Sequence, residues 1–236
     1  KGIGFAITEV LATSGAKVVI CNRNEEEGIG SAKKIKEKGF DVDFKSMDLS
    51  IPSSIKETIQ NVNSENGKID AVINSAGHLI VKPAIEYGVE DIDELLQINL
   101  RGALVLAQEA AKVMIPNKGG KLVFVSSILA ERAVPNQAAY IATKGGIAAL
   151  TKALSIEWAK YNIQVNAIAP QLTRTPMTEG LFSDPDKMKS VIERTPAGRA
   201  GEPSDVAGLA KFLCSSQSDY LTGQHICVDG GRSASG

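Results

Sequence analysis

Lys17-Val18-Val19-Ile20-Cys21 is a short β-branched run set between two stretches of helical periodicity, 4–14 and 25–38. β-Branched residues suit a pleated strand, whereas apolar residues recurring every three to four positions mark helices that bury one face. Outward from this run the alternation continues. Strand signatures recur at Val42–Met47, Ala71–Ile73, Leu122–Val125 and Ile163–Ile168, and further helical stretches fall near 53–66, 91–115 and 138–161. Such alternation builds parallel β-α-β units whose right-handed crossovers put helices on both sheet faces. The pattern predicts an α/β fold, a Rossmann-type doubly wound parallel sheet with ligands bound beyond the carboxyl ends of its strands. No repeat, low-complexity linker or composition break divides residues 1–236, so they read as one domain.

Composition narrows the function classes. A hydrophobic content of 43% over 236 residues is enough for a substantial core. The formal net charge of −1 and a pI near 6.2 supply no positive field for nucleic acid or an anionic membrane, so neither is expected as a partner. No run reaches the roughly 18 apolar residues of a membrane span, and no signal-peptide pattern is visible, which makes the cytoplasm the expected compartment. Cys21, Cys214 and Cys227 lack C-x-x-C spacing and lie in apolar contexts, so they read as reduced, buried structural residues. His, Cys, Asp and Glu show no metal-ligand spacing in the sequence, and no metal is expected.

Lys1-Gly2-Ile3-Gly4 runs directly into a helical stretch. A glycine-rich turn opening a helix suits a phosphate, because backbone N–H groups and the helix dipole face the anion and glycine permits close approach. Such a turn normally follows a strand, and none precedes this one; the leading central strand is expected to be missing from the chain as given, leaving its neighbours' edges exposed. About twenty residues on, the β-branched run ends in Asn22-Arg23-Asn24, where a dinucleotide fold reads the adenosine ribose. An acid there would select NAD. Arg23 instead offers a guanidinium for a 2′-phosphate, which favours NADP over NAD, the alternative being an exposed arginine at a strand end.

Tyr140-Ile141-Ala142-Thr143-Lys144 lies thirteen residues after Ser127, itself at the end of an apolar strand. On a helix, residues four apart share a face, so the Lys144 ammonium can lie beside the Tyr140 phenol. A neighbouring cation favours phenolate, and the expectation is a phenol pKa lowered from about 10 toward the range of a general acid/base. By itself the spacing is common on helices. Its weight comes from the accompanying motifs.

Together these residues resemble the classical short-chain dehydrogenase/reductases over essentially the whole chain. Gly2-Ile3-Gly4 is similar to the tail of that family's TGxxxGIG turn, Asp48-Leu49 to its adenine-flanking pair, and Asn74-Ser75-Ala76-Gly77 to its NNAG segment. Asn99, Ser127, Tyr140 and Lys144 match its catalytic tetrad, Val165 to Pro170 its VNxIxPG loop, and Val228-Asp229-Gly230-Gly231 its terminal VDGG. Ser75 and Gln171 depart from the pattern, in place of Asn and Gly.

The resemblance implies an oxidoreductase that moves hydride between nicotinamide and a carbonyl or secondary alcohol. It implies that Tyr140 transfers the proton and Ser127 holds the substrate oxygen. Lys144 would tune the phenol and bind the ribose, and Asn99 would hold a water that resupplies protons. Thr173 and Thr175, after Pro170, would border the cofactor, and Leu129 and Gln171 the substrate. Residues 171–199, broken by Pro176, Gly180, Pro185 and Pro196, read as a substrate flap. Lys82 to Glu86 and Arg194 to Arg199 are similar to sugar-acid dehydrogenases such as gluconate 5-dehydrogenase. Competing expectations are a 3-oxoacyl-carrier-protein reductase and an NADP-sensing protein without turnover. Surplus apolar surface on the helix at 138–161, with the family's habit of pairing it, implies a homotetramer.

Overall fold

The computed structural model describes residues 1–235. Its strands are all parallel and lie in two sheet sections. In the first, β1 (Val18–Asn22) pairs with β2 (Val42–Ser46), from Val18 opposite Val42 to Asn22 opposite Ser46. In the second, β3 (Ala71–Asn74), β4 (Gly120–Val125), β5 (Ile163–Pro170) and β6 (His225–Val228) follow one another in that order. Parallel neighbours require crossovers, and helices supply them: α1 (Gly2–Ala12), α2 (Glu25–Lys36), α3 (Pro52–Asn66), α4 (Val89–Leu96), α5 (Gly102–Met114), α6 (Ala138–Trp158), α7 (Glu179–Phe182), α8 (Pro185–Glu193) and α9 (Pro203–Leu213).

The period-2 geometry of β4 shows how the core is divided. Leu122 and Phe124 face a cluster holding Ile55, Ile59, Leu106, Met114, Leu154 and Trp158 of α3, α5 and α6. Val123 and Val125 face the other way, onto Ile7 of α1 and Val206, Ala210 and Leu213 of α9. Burial on both faces explains why β4 reads as a continuous apolar run from Leu122 to Val125. A third cluster, with Ala32 and Ile35 against Val42, seats α2 on the β1–β2 section. The doubly wound parallel architecture expected from the sequence is thus present.

Several details differ from the sequence reading. The stretch near 91–115 is two helices, α4 and α5, joined by a widened π-type turn over Gln97–Arg101 in which the Gly102 N–H reaches back to the Gln97 carbonyl. The amphipathic helix α9 has a Pro at its start and was not anticipated. His225 opens the last strand, β6. Cys21 is exposed and Cys214 and Cys227 are half-buried, so none of the three is the fully buried residue expected. No helix among the described residues is long and apolar enough to cross a membrane.

Candidate active site

One continuous cavity of about 1550 Å³ runs along the gap between β1 and β3, from their amino to their carboxyl ends, and takes in the carboxyl ends of β4 and β5. Gly2, Ile3, Gly4, Asn22, Arg23, Asp48, Leu49, Asn74, Ala76, Gly77, Ser127, Leu129, Tyr140, Lys144, Pro170, Gln171, Thr173 and Thr175 all border it. Asn99 does not; it lies behind the cleft wall, 2% exposed.

Tyr140 and Lys144 occupy the first two turns of α6; Tyr140 is half-buried, and Lys144 belongs to the buried stripe that continues through Ile147, Thr151, Leu154 and Trp158. The Lys144 ammonium donates to the Val125 carbonyl at 3.0 Å and sits 5.6 Å from the centroid of the Tyr140 ring. Ser127 follows the buried end of β4, where its extended backbone caps a short 3-10 turn, Ile128–Ala130, and its hydroxyl accepts the Leu129 N–H at 3.1 Å. The same side chain lies near the Tyr140 phenol and works to lower its pKa. Sequence-distant Ser127 and Tyr140 therefore meet at one point, with Lys144 behind them.

The electrostatics differ from expectation. Burial pushes the Tyr140 phenol up to about 12, and the neighbouring Ser127 side chain only partly offsets it. Burial likewise pushes the Lys144 ammonium down to about 8. The predicted lowering of the phenol by the lysine does not hold in this structure. Desolvation disfavours both charged forms and outweighs their mutual effect.

The Asn99 amide is used to fix backbone. Its nitrogen donates to the His78 carbonyl at 2.8 Å and to the Thr143 hydroxyl at 3.2 Å, while its oxygen accepts the His78 N–H at 2.7 Å. Thr143 in turn donates to the Tyr140 carbonyl at 2.7 Å. Residue 78 is thereby tied to α6. Gly77 lies between the two elements: a Cβ there would stand 3.5 Å from Lys144 Nζ and 3.6 Å from Asn99 Oδ1. Thr143 was not singled out from the sequence, although it lies inside the Tyr140–Lys144 run.

At the other end of the cleft, Gly2 has φ +57° and opens α1. Gly4 is approached by Ser75, whose Oγ would lie 2.6 Å from an added Cβ. A side chain at residue 4 would therefore need the neighbouring segment to move. Arg23 is exposed and, among the described residues, has no ion-pair partner. Burial raises the Asp48 carboxyl, but two bonds from Ser50 and the charge of Arg23 bring it below its ordinary value. Asn22 accepts the Asn24 N–H, and Asn24 caps α2 through Glu27 N–H, so Arg23 is held between two local caps. This donor set and glycine turn fit a phosphorylated dinucleotide.

Asn74 is buried at the end of β3 and accepts the Ala76 N–H at 3.2 Å. Gln171, after β5, donates its amide to buried Thr195 at 2.8 Å, so that amide is engaged within the protein instead of facing a substrate. Thr195 is twenty-four residues away, and no sequence signal links the pair. Thr178 donates to the Thr173 and Thr175 carbonyls, shaping the loop that borders the cleft ahead of α7 and α8.

A family model described as enoyl-(acyl carrier protein) reductase matches residues 1–233. A tropinone reductase homolog of Datura stramonium is 39% identical over 240 residues, covering 100% of this chain and 90% of that protein. The crystal structure of a gluconate 5-dehydrogenase from Burkholderia cenocepacia J2315, in complex with NADP and tartrate, superposes with a TM-score of 0.97 at 35% identity, over 100% of this chain and 92% of the other. A short-chain type dehydrogenase/reductase from Mycobacterium ulcerans gives a TM-score of 0.96 at 27% identity, over 99% and 86%.

Proposed function

The chain belongs to the classical short-chain dehydrogenase/reductases, and we propose that it is an oxidoreductase using NADP(H) on a small carbonyl or secondary-alcohol substrate, a sugar acid, polyol or keto compound. The observation that carries this reading is the meeting of Ser127, Tyr140 and Lys144 on the cleft. The gluconate 5-dehydrogenase, solved with NADP, supports both the cofactor and a sugar-acid substrate. Residues 1–236 are taken as a single catalytic domain, with 171–199 as its substrate flap.

Gly2–Gly4, Asn22, Arg23, Asp48, Leu49, Asn74, Ala76, Gly77, Pro170, Thr173 and Thr175 are the residues proposed to hold the dinucleotide, with Tyr140 and Lys144 at its nicotinamide ribose. Bound NADPH supplies the hydride. With its pKa raised to about 12, Tyr140 is protonated at neutral pH and donates its proton to the substrate oxygen during carbonyl reduction. Ser127 donates to that oxygen as negative charge develops, in the manner of an oxyanion donor. Lys144, cationic at pH 7, stabilises the phenolate left behind. Asn99 positions the wall between them through its bonds to residue 78, beside the proposed role of holding a proton-supplying water.

Tyr140→Phe tests the assignment, since it keeps the ring and removes the proton. NADPH-dependent reduction across a panel of keto-acids, sugars and oxoacyl thioesters should fall by about 10³-fold or more, with NADPH affinity changed by less than about threefold. Undiminished turnover would overturn it. Wild-type NADPH binding with no turnover on any substrate would instead favour a sensing protein, and activity confined to the thioesters a carrier-protein reductase.

For the assembly we propose a homotetramer. Ile156 on α6 is 82% exposed and Val89 on α4 is 68% exposed, and partly exposed Ile92 and Leu96 extend the α4 surface. The free cysteines accord with a reducing, cytoplasmic setting.

A further inference from the structure

One polar cluster plays no part in the chemistry above. His225 and Cys227 alternate along β6 and so face the same side of the sheet. Glu131 ends the short turn that begins after Ser127 and reaches over to them. A ring nitrogen of His225, the Cys227 sulfur and a Glu131 carboxylate oxygen all lie within 4.8 Å of one another. None of the three borders the catalytic cleft.

His225 is the unusual member. Its side chain is 4% exposed, Nδ1 meets a Glu131 oxygen at 3.0 Å, and Nε2 is shut from water without any hydrogen-bond partner. Nδ1 is the nitrogen turned toward Glu131, so the orphaned Nε2 lies on the other side of the ring and is a separate feature.

We propose that Glu131, His225 and Cys227 form a binding site for a thiophilic divalent cation of the zinc class. A mixed N, S and O set is the donor chemistry of zinc, which binds such atoms at about 2.0–2.3 Å in a tetrahedron whose edges are roughly 3.3–3.7 Å. The 3.0 Å His–Glu contact and the 4.8 Å limit on the cluster bracket those edges, so small side-chain adjustments suffice. Water fills the fourth position, and the Cys227 thiol releases its proton to solvent as the sulfur–metal bond forms. The ion joins β6 to the segment following Ser127. It is a structural staple, and hydride transfer does not pass through it.

Cobalt(II) titration of the chelator-treated full chain tests this, because a thiolate ligand gives cobalt a charge-transfer absorbance that oxygen and nitrogen ligands do not. Wild type should develop that band at one equivalent and lose it to added zinc. Cys227→Ser should abolish it, and His225→Gln should weaken cobalt binding by about tenfold or more. A Cys21→Ser, Cys214→Ser double variant should retain it. Zinc should raise the melting temperature of wild type and of that double variant, but not of Cys227→Ser or His225→Gln. No band in wild type, or an undiminished band in Cys227→Ser, would overturn the proposal. Should Cys227→Ser fail to fold, the zinc-dependent melting shift of His225→Gln against wild type decides the matter alone.

Discussion

At Lys144 a function-bearing charge is kept where folding alone would not place it. The ammonium is 5% exposed at the residue level and its pKa falls from 10.5 to about 8, so its charged form costs about 3 kcal/mol at neutral pH at 1.36 kcal/mol per unit. For a lysine lowered in this way the folded state binds fewer protons than the unfolded chain between about pH 8 and 10.5. The penalty is therefore complete below pH 8 and is relieved as pH rises through that window. Denaturant midpoints at pH 7.5 and 9.5 should show wild type gaining stability relative to Lys144→Met, before the opposite effect of Tyr140 begins near pH 10. A difference that stays constant or shrinks would refute the burial argument. Lys144→Met should also be inactive. Arg23 obeys the opposite logic, since it is exposed and unpaired and contributes little until a phosphate arrives. Arg23→Ala should reduce the preference for NADPH over NADH by about 10–100-fold, as a charge-assisted bond is worth about 1.5–3 kcal/mol. Unchanged preference in steady-state kinetics would reject the 2′-phosphate role.

Among the elements, α6 divides its labour along one stripe. Tyr140 and Lys144 border the cleft, and Ile147, Leu154 and Trp158 further along pack into the core with β4 and β5. At 1.5 Å per residue, Leu154 lies about 21 Å along the helix from Tyr140. Leu154→Ala should lower stability by about 2–5 kcal/mol in chemical unfolding while kcat and KM of the folded enzyme stay within about threefold. A large loss of kcat at preserved fold would show that the two halves of the stripe are coupled. The α4–α5 joint works differently. Its widened turn interrupts the ordinary helical repeat at Asn99, and the buried amide there reaches both His78 and Thr143. Such turns concentrate at functional sites because they re-aim one side chain without ending the helix.

For the molecule as a whole, the main unresolved surface chemistry is apolar. Val89, Ile92 and Leu96 on α4 and Ile156 on α6 are exposed apolar side chains outside the core clusters. If these faces pair in a homotetramer, Ile156→Asp should shift light scattering from the mass of four 24.9 kDa chains toward smaller species, with circular dichroism unchanged. A wild-type monomer would reject the assembly.

Periodicity and residue type determined the parallel α/β architecture and the Gly2–Gly4 turn, because each rests on local patterns, whereas the candidacy of Ser127, Tyr140 and Lys144 rested on the family resemblance their motifs carry. Only the tertiary structure decided how those groups are solvated. The direction of the Tyr140 shift was misjudged from sequence, since helical spacing reports proximity to a cation but says nothing of the water both groups lose on burial. The same limit hid the Gln171–Thr195 bond and the Glu131–His225–Cys227 cluster. Their members are brought together by strand order and by loops that return across the sheet, contacts between residues far apart in the chain for which a single sequence carries no periodic trace.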